Sequence, residues 1–338
     1  MYSSASHITY SFIVPTYNSE GWIEQCIRSV LAQSFSGFDI LVLDSGSTDG
    51  TLAYLKSIED SRIKIYTTPN RLGIVENWQR ITGIPRNEFM TILGHDDILY
   101  PDYLATIDQL IQQFPDAGLY QTHFNFIDGN GELIRACHPM KPVILPGELL
   151  EAVLQNTIEI TATGFMVRSK DYDAVGGIAA YPNLLYADIE LWLKLILDNY
   201  LAISPENCFE FRLHINNTSK SSGAFRFTAF DMLIGFLDTL KKSSSIYQQI
   251  IDKNIGAFFK NHVVGSCHKL IYIPKEKRNQ VTMDGIITSA KICAKKIAPH
   301  LDFKPEQYAG IRIAKLVDSG RLLRKLFLFY KGFQKRMY

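Results

Sequence analysis

The stretch DILVLDSGSTDGT, Asp39–Thr51, carries two physical patterns back to back. Ile40–Leu43 is an uninterrupted apolar run suited to a pleated strand, and Asp44 closes it. The residues that follow are small, polar or glycine, the composition of a turn. A helix is predicted from about Thr51 to Ser57, with Asp49 placed to cap it. A continuous apolar strand that feeds a short turn and a helix is the unit of a parallel sheet covered on both faces.

The unit recurs on either side. YSFIV (Tyr10–Val14) reads as a strand, and Asn18 can cap a helix whose Ile23, Cys26, Ile27, Val30 and Leu31 recur at helical spacing. IKIYTT (Ile63–Thr68) and EFMTIL (Glu88–Leu93) are further strands, with a helix around Ile74–Thr82 between them. In such sheets ligands bind beyond the carboxyl ends of the strands. Pro15–Asn18, Asp44–Thr48 and Gly94–Asp97 all fall at such ends. From residue 120 to about 215 the pattern is mixed. HFNFIDGNGELIRA (His123–Ala136) reads as a hairpin, GFMV (Gly164–Val167) as a strand, ADIELWLKLILDN (Ala187–Asn199) as a helix and CFEFRLH (Cys208–His214) as a strand. After Ser219 the chain reads as mostly helical, and TSKSSG (Thr218–Gly223) is predicted to link the two parts.

Composition excludes several classes. At 46% hydrophobic and 20% charged residues, with no low-complexity tract, the chain is of ordinary globular type. The first residues have no basic segment leading into an apolar one, and no window holds the ~18 apolar residues of a spanning helix. The five cysteines are odd in number, far apart and without a CxxC pair, the pattern of reduced thiols in a cytoplasm. The net charge of +1 hides an asymmetry: residues 268–338 hold 16 Lys/Arg against 5 Asp/Glu, leaving 19 against 29 for the rest. The acidic part is no binder of nucleic acid, whereas the basic part suits an anionic surface.

Asp44 ends a strand at a turn where a carboxylate can accept hydrogen bonds from a base or ribose. No GxGxxG or GxxxxGK[ST] follows any strand, so dinucleotide and P-loop motifs are absent. Asp96 and Asp97 follow the apolar strand of MTILGHDDILYPDYL (Met90–Leu104), where an uncompensated carboxylate costs several kcal/mol. One reading makes Asp97 or a neighbour the cap of the helix near Pro101. The other sets a divalent cation, Mg²⁺ or Mn²⁺, between the pair and a diphosphate. The neighbouring loops favour the second.

FIVPTYNSEGWIEQCIRSVLAQSF, ILVLDSGSTDGT, NRLGIVENW and GHDDILYPDYL, in this order, resemble the family 2 glycosyltransferases over residues 8–215. The resemblance implies a GT-A α/β fold over residues 1–220, a mostly parallel nucleotide-binding sheet flanked by helices. A helical region, 221–338, follows it. The implied activity is inverting transfer of a sugar from a nucleotide-diphosphate-sugar to a hydroxyl acceptor, usually with Mn²⁺ or Mg²⁺. The expected setting is bacterial surface polysaccharide or glycolipid assembly in the cytoplasm, with a carbohydrate or lipid-linked sugar as acceptor.

Carried over by motif, Pro15, Thr16 and Tyr17 lie along the base and ribose, Asp44 holds the nucleoside, and Arg71 and Asn77 close over it. Asp97 becomes the more direct metal ligand, with Asp96 a ribose or metal partner. YADIELWLKL (Tyr186–Leu195) matches the helix that carries the base, which makes Asp188 that base and Glu190 the fallback. The chemistry needs such a group, because an acceptor hydroxyl is a poor nucleophile until a carboxylate takes its proton. FRLHINNTS (Phe211–Ser219) matches the closing segment: Arg212 would neutralise the leaving group and His214 would complete the metal shell. Thr163 and Gly164 are expected on the floor of the sugar or acceptor pocket.

The sequence departs from the family pattern at three places. Gly94, Ser45 and Ala187 stand where acidic residues are common. His95 is read as packing locally or facing the donor sugar. Two alternatives follow: a nucleotide-sugar binder without catalysis, or a sugar-1-phosphate nucleotidyltransferase, whose Gly-rich loop with Arg and Lys PTYNSEGW lacks. Finally, GRLLRKLFLFYKGFQKRMY (Gly320–Tyr338) combines a run of Leu and Phe with six basic residues and no acidic one. That composition fits either peripheral membrane contact, at the inner face of the cytoplasmic membrane, or a terminal helix docked on the protein.

Overall fold

The computed structural model describes residues 9–213 and 223–337, with side chains as far as residue 329. The chain forms two compact units: residues 1–149 with 158–219, and residues 150–157 with 220–338.

In the first unit β1 (Tyr10–Thr16) runs through the middle of the sheet, all seven residues buried. β2 (Phe38–Asp44) and β4 (Phe89–Ile92) flank it in parallel, and β3 (Ile63–Thr67) adds parallel to β2. The register pairs Thr16 with Asp44 and Ile13 with Ile92, so three carboxyl ends open on one edge. β1, β2 and β4 are buried almost throughout because both faces are covered, whereas β3 is only partly buried. On one side α1 (Ile23–Leu31) buries Ile23, Cys26, Ile27 and Val30, the residues with helical spacing.

Beyond β4 the sheet changes direction. β9 (Met166–Arg168) is antiparallel to β4, β6 (Leu119–Ile127) is antiparallel to β9, and β10 (Leu201–Arg212) returns parallel to β6. β7 (Leu133–Ala136) completes the expected hairpin with β6. Two-residue strands β5 (Ile98–Leu99) and β8 (Val143–Ile144) pair antiparallel with β10. The sheet is therefore mixed, with its longest ladders parallel. Helices α2 (Thr51–Lys56), α3 (Ile74–Gln79), α4 (Tyr103–Gln113), α5 (Pro146–Gln155), α6 (Ser169–Ala174) and α7 (Ala187–Ile196) complete the unit, although residues 150–155 of α5 group with the second.

Two cap expectations meet different fates. Asp49 Oδ1 accepts from the Thr51 N–H at 3.0 Å, at the start of α2. Asn18 does not cap α1, since a turn in which Ile23 N–H donates to Ser19 O intervenes. Asn18 instead adopts a left-handed φ of 46° and ties the β1 loop to the β2 loop. Its N–H donates to Ser47 Oγ at 2.9 Å and its Oδ1 accepts from Thr48 N–H at 2.8 Å.

The second unit is helical: α8 (Phe225–Ser243), α9 (Ser245–Tyr272), α10 (Met283–Ile297), α11 (Ala309–Ser319) and α12 (Arg321–Met337). Its core includes Phe230, Leu233, Leu237, Ile255, Phe259, Val263, Ile287 and Ile311. Arg278 and Asp318 form a two-pronged, mostly buried ion pair at 2.7 and 2.6 Å. Among the described residues no helix is long and apolar enough to cross a membrane.

Candidate active site

The ends of β1 and β2 are bound to one another and to the 67–73 loop. Ser45 N–H donates to Thr16 O at 3.0 Å, and Ser45 Oγ both donates to Leu72 O (3.0 Å) and accepts from Leu72 N–H (2.8 Å). The serine that stands in place of an acidic residue therefore clamps a loop. Asp44 has no exposed surface. Its Oδ2 accepts from Thr67 Oγ1 at 2.7 Å, Gly46 N–H at 3.1 Å and Ser47 N–H at 3.2 Å. Its observed work is to shape the turn, because three protein donors already satisfy that oxygen.

Gly46 has a φ of +68°, and a Cβ there would lie 2.9 Å from the Asn70 carbonyl carbon. Gly46→Ala is expected to cost about 1–3 kcal/mol and to weaken donor binding at least fivefold by pushing the 70–71 loop outward. Thermal denaturation and donor titration check both effects, and an unchanged affinity would disconnect this loop from the ligand.

On the outer side of the same loop the exposed Arg71 stacks its guanidinium 4.5 Å from the centre of the Tyr17 ring. This pair presents a flat cationic and aromatic surface of the kind a nucleobase takes. The other residues expected along the nucleotide turn inward. Pro15 is buried, and its carbonyl oxygen lies 3.3 Å from His95 Nδ1. Thr16 is buried with its hydroxyl 2.5 Å from Ser19 Oγ. Asn77 is buried, donating to Leu43 O at 2.9 Å and accepting from Arg80 Nη1 at 2.8 Å. Arg80 also donates to Asp44 O at 3.1 Å and Tyr66 O at 2.6 Å, which sets a guanidinium beneath the turn. Sequence reading passed over Arg80. Its one signal was helical adjacency to Asn77.

The paired aspartates differ in exposure. Asp97 is 2% exposed, whereas Asp96 keeps part of its surface. Asp97 Oδ2 accepts from Thr163 Oγ1 at 2.7 Å, and Oδ1 from Arg212 N–H at 2.9 Å. Burial, then the adjacent Asp96 charge, push its carboxyl well above the usual range, while those two hydrogen bonds pull it back. It caps nothing, since α4 starts at Tyr103 without a side-chain cap. The expectation that Asp97 is the more direct metal ligand thus meets a carboxylate already used to join three segments.

Arg212 also departs from expectation. It is 2% exposed, and its side chain donates to Asp96 O (2.7 Å), Asp128 O (3.2 Å) and Gln25 Oε1 (2.7 Å). The guanidinium fixes the GHDD loop from behind and has no surface for a leaving group. The reason is register: Phe209 pairs with Leu99 and Glu210 with Ile98, which carries Arg212 alongside Asp96 and Asp97. Gly94 is explained in the same place. A Cβ there would come within 2.5 Å of Asp97 Oδ2 and 2.9 Å of Asp96 Oδ1, so the two carboxylates fill the space of the missing acid. Thr163 lies beneath, as Gly164 N–H donates to Ile92 O at the end of β4. His214 lies outside the described residues.

At the start of α7 the two acids also separate. Glu190 is engaged at both oxygens: Oε2 accepts from Tyr181 OH at 2.6 Å, and Oε1 pairs with Lys194 Nζ at 2.5 Å. The Tyr181 tie was not visible in sequence, being made across a turn. Asp188 is partly exposed, and its Oδ1 accepts from the N–H of its neighbour Ile189 at 2.9 Å. Burial of the carboxyl pushes it up to about 6. The backbone before it is held in an unusual conformation, with left-handed φ at Asn183 (54°), Leu184 (56°) and Tyr186 (71°). Such residues cost roughly 1 kcal/mol or more each and persist where surroundings over-determine them. Here the 182–184 turn packs against α3.

In sequence and in fold the chain is similar to known glycosyltransferases. Residues 11–176 match the sequence model of Glycosyl transferase family 2. An uncharacterized glycosyltransferase of Haemophilus influenzae is 26% identical over 62% of this chain and 67% of its own length. The Escherichia coli UDP-Glc:alpha-D-GlcNAc-diphosphoundecaprenol beta-1,3-glucosyltransferase WfgD is 26% identical over 64% of this chain and 81% of its own. In structure, S. aureus TarS 1-349 in complex with UDP-GlcNAc superposes with a TM-score of 0.65 at 16% identity, covering 86% of this chain and 82% of that one. The likeness to TarS shows the fold, a mixed, mostly parallel sheet flanked by helices as in GT-A proteins. With these matches, the N-terminal unit of the chain belongs to the family 2 glycosyltransferases.

Proposed function

We propose that the chain transfers a sugar from a nucleotide-diphosphate-sugar to a hydroxyl acceptor by single displacement with inversion. The observation that carries the residue assignment is the contrast on α7, where Glu190 is bonded at both oxygens and Asp188 keeps a carboxylate available. Tyr17 and Arg71 hold the base, on loops set by Asp44, Ser45 and Asn77. The acceptor hydroxyl attacks the anomeric carbon, the bond from that carbon to the diphosphate oxygen breaks, and Asp188 takes the hydroxyl proton. The leaving diphosphate carries away the bonding electron pair.

The residues present fit a hard divalent cation in a limited way. Among the described residues no three His, Cys, Asp or Glu side chains converge, so the protein's own share of ligands is small. Mg²⁺ and Mn²⁺ sites of this kind use one or two carboxylates and take their other ligands from substrate phosphates and water. Asp96 is the carboxylate with surface to offer, and Asp97 supports it from within. The cation, when bound, would offset the charge gathering on the leaving diphosphate.

The E. coli relative, whose name specifies a sugar on diphosphoundecaprenol, supports a reading of the acceptor. A lipid-linked sugar in surface-polysaccharide or glycolipid assembly is the corresponding acceptor here, met at the inner face of the cytoplasmic membrane. The test is incubation of the purified chain with a panel of nucleotide-sugars and Mn²⁺ or Mg²⁺, with and without lipid-linked acceptors, following nucleoside diphosphate release. Acceptor-stimulated release with one donor class is expected. Donor binding without release under any condition would favour a non-catalytic nucleotide-sugar binder.

A further inference from the structure

The last helix of the second unit leaves an apolar stripe uncovered. α12 docks through one side: Arg324 Nε donates to Ile271 O at 2.8 Å, and the Phe327 ring meets Tyr272 with centroids 6.3 Å apart. On a helix, Leu322, Leu326 and Phe329 follow one another at i, i+4 and i+7 on the opposite side. They are 70%, 57% and 77% exposed, and Leu323 beside them is 43% exposed. Burying Phe or Leu side chains is a main driving force of folding, so three of them aligned outward on one helix indicate a surface that meets something.

Charge identifies what it meets. Residues 320–338 contain Arg321, Arg324, Lys325, Lys331, Lys335 and Arg336 and no acidic residue, in a chain whose net charge is only +1. Arg321 and Lys325 are exposed and lie along one margin of the stripe. An apolar stripe bordered by cations matches a bilayer surface rich in anionic lipid, with acyl chains for the leucines and headgroup phosphates for the basic residues. A protein groove for the same stripe would need acidic walls, whereas a bilayer supplies apolar depth and negative charge together.

We infer that α12 is an interfacial anchor that lies in the surface of an anionic lipid bilayer through Leu322, Leu326 and Phe329. The inference stands apart from sugar transfer, because binding to plain vesicles needs neither donor nor acceptor. The experiment is co-sedimentation of the full chain with sucrose-loaded vesicles, either of phosphatidylcholine alone or with about one-third phosphatidylglycerol, at low and high salt.

Partitioning onto the mixed vesicles is expected to exceed that onto neutral ones at least tenfold and to weaken with salt. L326E/F329E and K325E variants, all at exposed positions, should each lose most of it while keeping the wild-type circular dichroism and melting temperature. No partitioning onto anionic vesicles, or equal partitioning of wild type and L326E/F329E, would overturn the assignment. So would a wild-type dimer in sedimentation velocity that L326E/F329E dissolves, since a second copy would then be the occupant.

Discussion

Asp188→Asn is expected to lower kcat by about 10²–10⁴-fold and leave donor affinity within about twofold, because asparagine keeps the shape and removes only the proton acceptor. Glu190→Gln, which breaks an ion pair with Lys194 and alters the bond from Tyr181, should change kcat by about threefold or less. The wild-type rate should also fall about tenfold per pH unit below about 6, where the Asp188 carboxyl becomes protonated and can no longer take the acceptor's proton. Steady-state kinetics from pH 4.5 to 8 with both variants decide the matter. Full transfer by Asp188→Asn would move the base elsewhere.

Linkage gives a second readout of the same group. The folded carboxyl titrates at about 6, above its ordinary 3.8, so the fold favours the protonated form. Its stabilising contribution is complete below about pH 4 and is lost as pH rises through 6. At pH 7 the neutral asparagine escapes that cost. Asp188→Asn should therefore be more stable than wild type by the order of 1–2 kcal/mol, a figure already reduced for the partial exposure of the group. Inactivity together with a raised melting point separates a lost base from a damaged fold.

The paired aspartates should respond in opposite ways. Asp97→Ala leaves the Thr163 hydroxyl and the Arg212 N–H without their acceptor in a buried place, and is expected to cost about 2–4 kcal/mol. Asp96→Ala should lower Mn²⁺-dependent binding of nucleoside diphosphate by about a hundredfold. Calorimetric titration with nucleoside diphosphates, with and without Mn²⁺, beside thermal melts of both variants, makes the comparison. A stable Asp97→Ala that has lost the Mn²⁺ dependence would instead restore Asp97 as the direct ligand.

Much of the unit that bears the site was legible from apolar continuity. Strands buried on both faces read as mostly apolar runs, so β1, β2 and β4 and the loops at their ends could be read directly. β5 and β8 could not, because two-residue strands are made by their partner and not by their own composition. The site residues divide along the same line. The chain's own pattern determined which loops gather at the carboxyl edge and that they would hold acidic residues. It did not determine which protein donors each acidic residue would meet.

Asp97 is held by Arg212, 115 residues away in sequence, and by Thr163 beneath. Glu190 is held by Tyr181 and Lys194. Whether a carboxylate is structural or available depends on which donors arrive beside it. Only the tertiary structure brings those donors in.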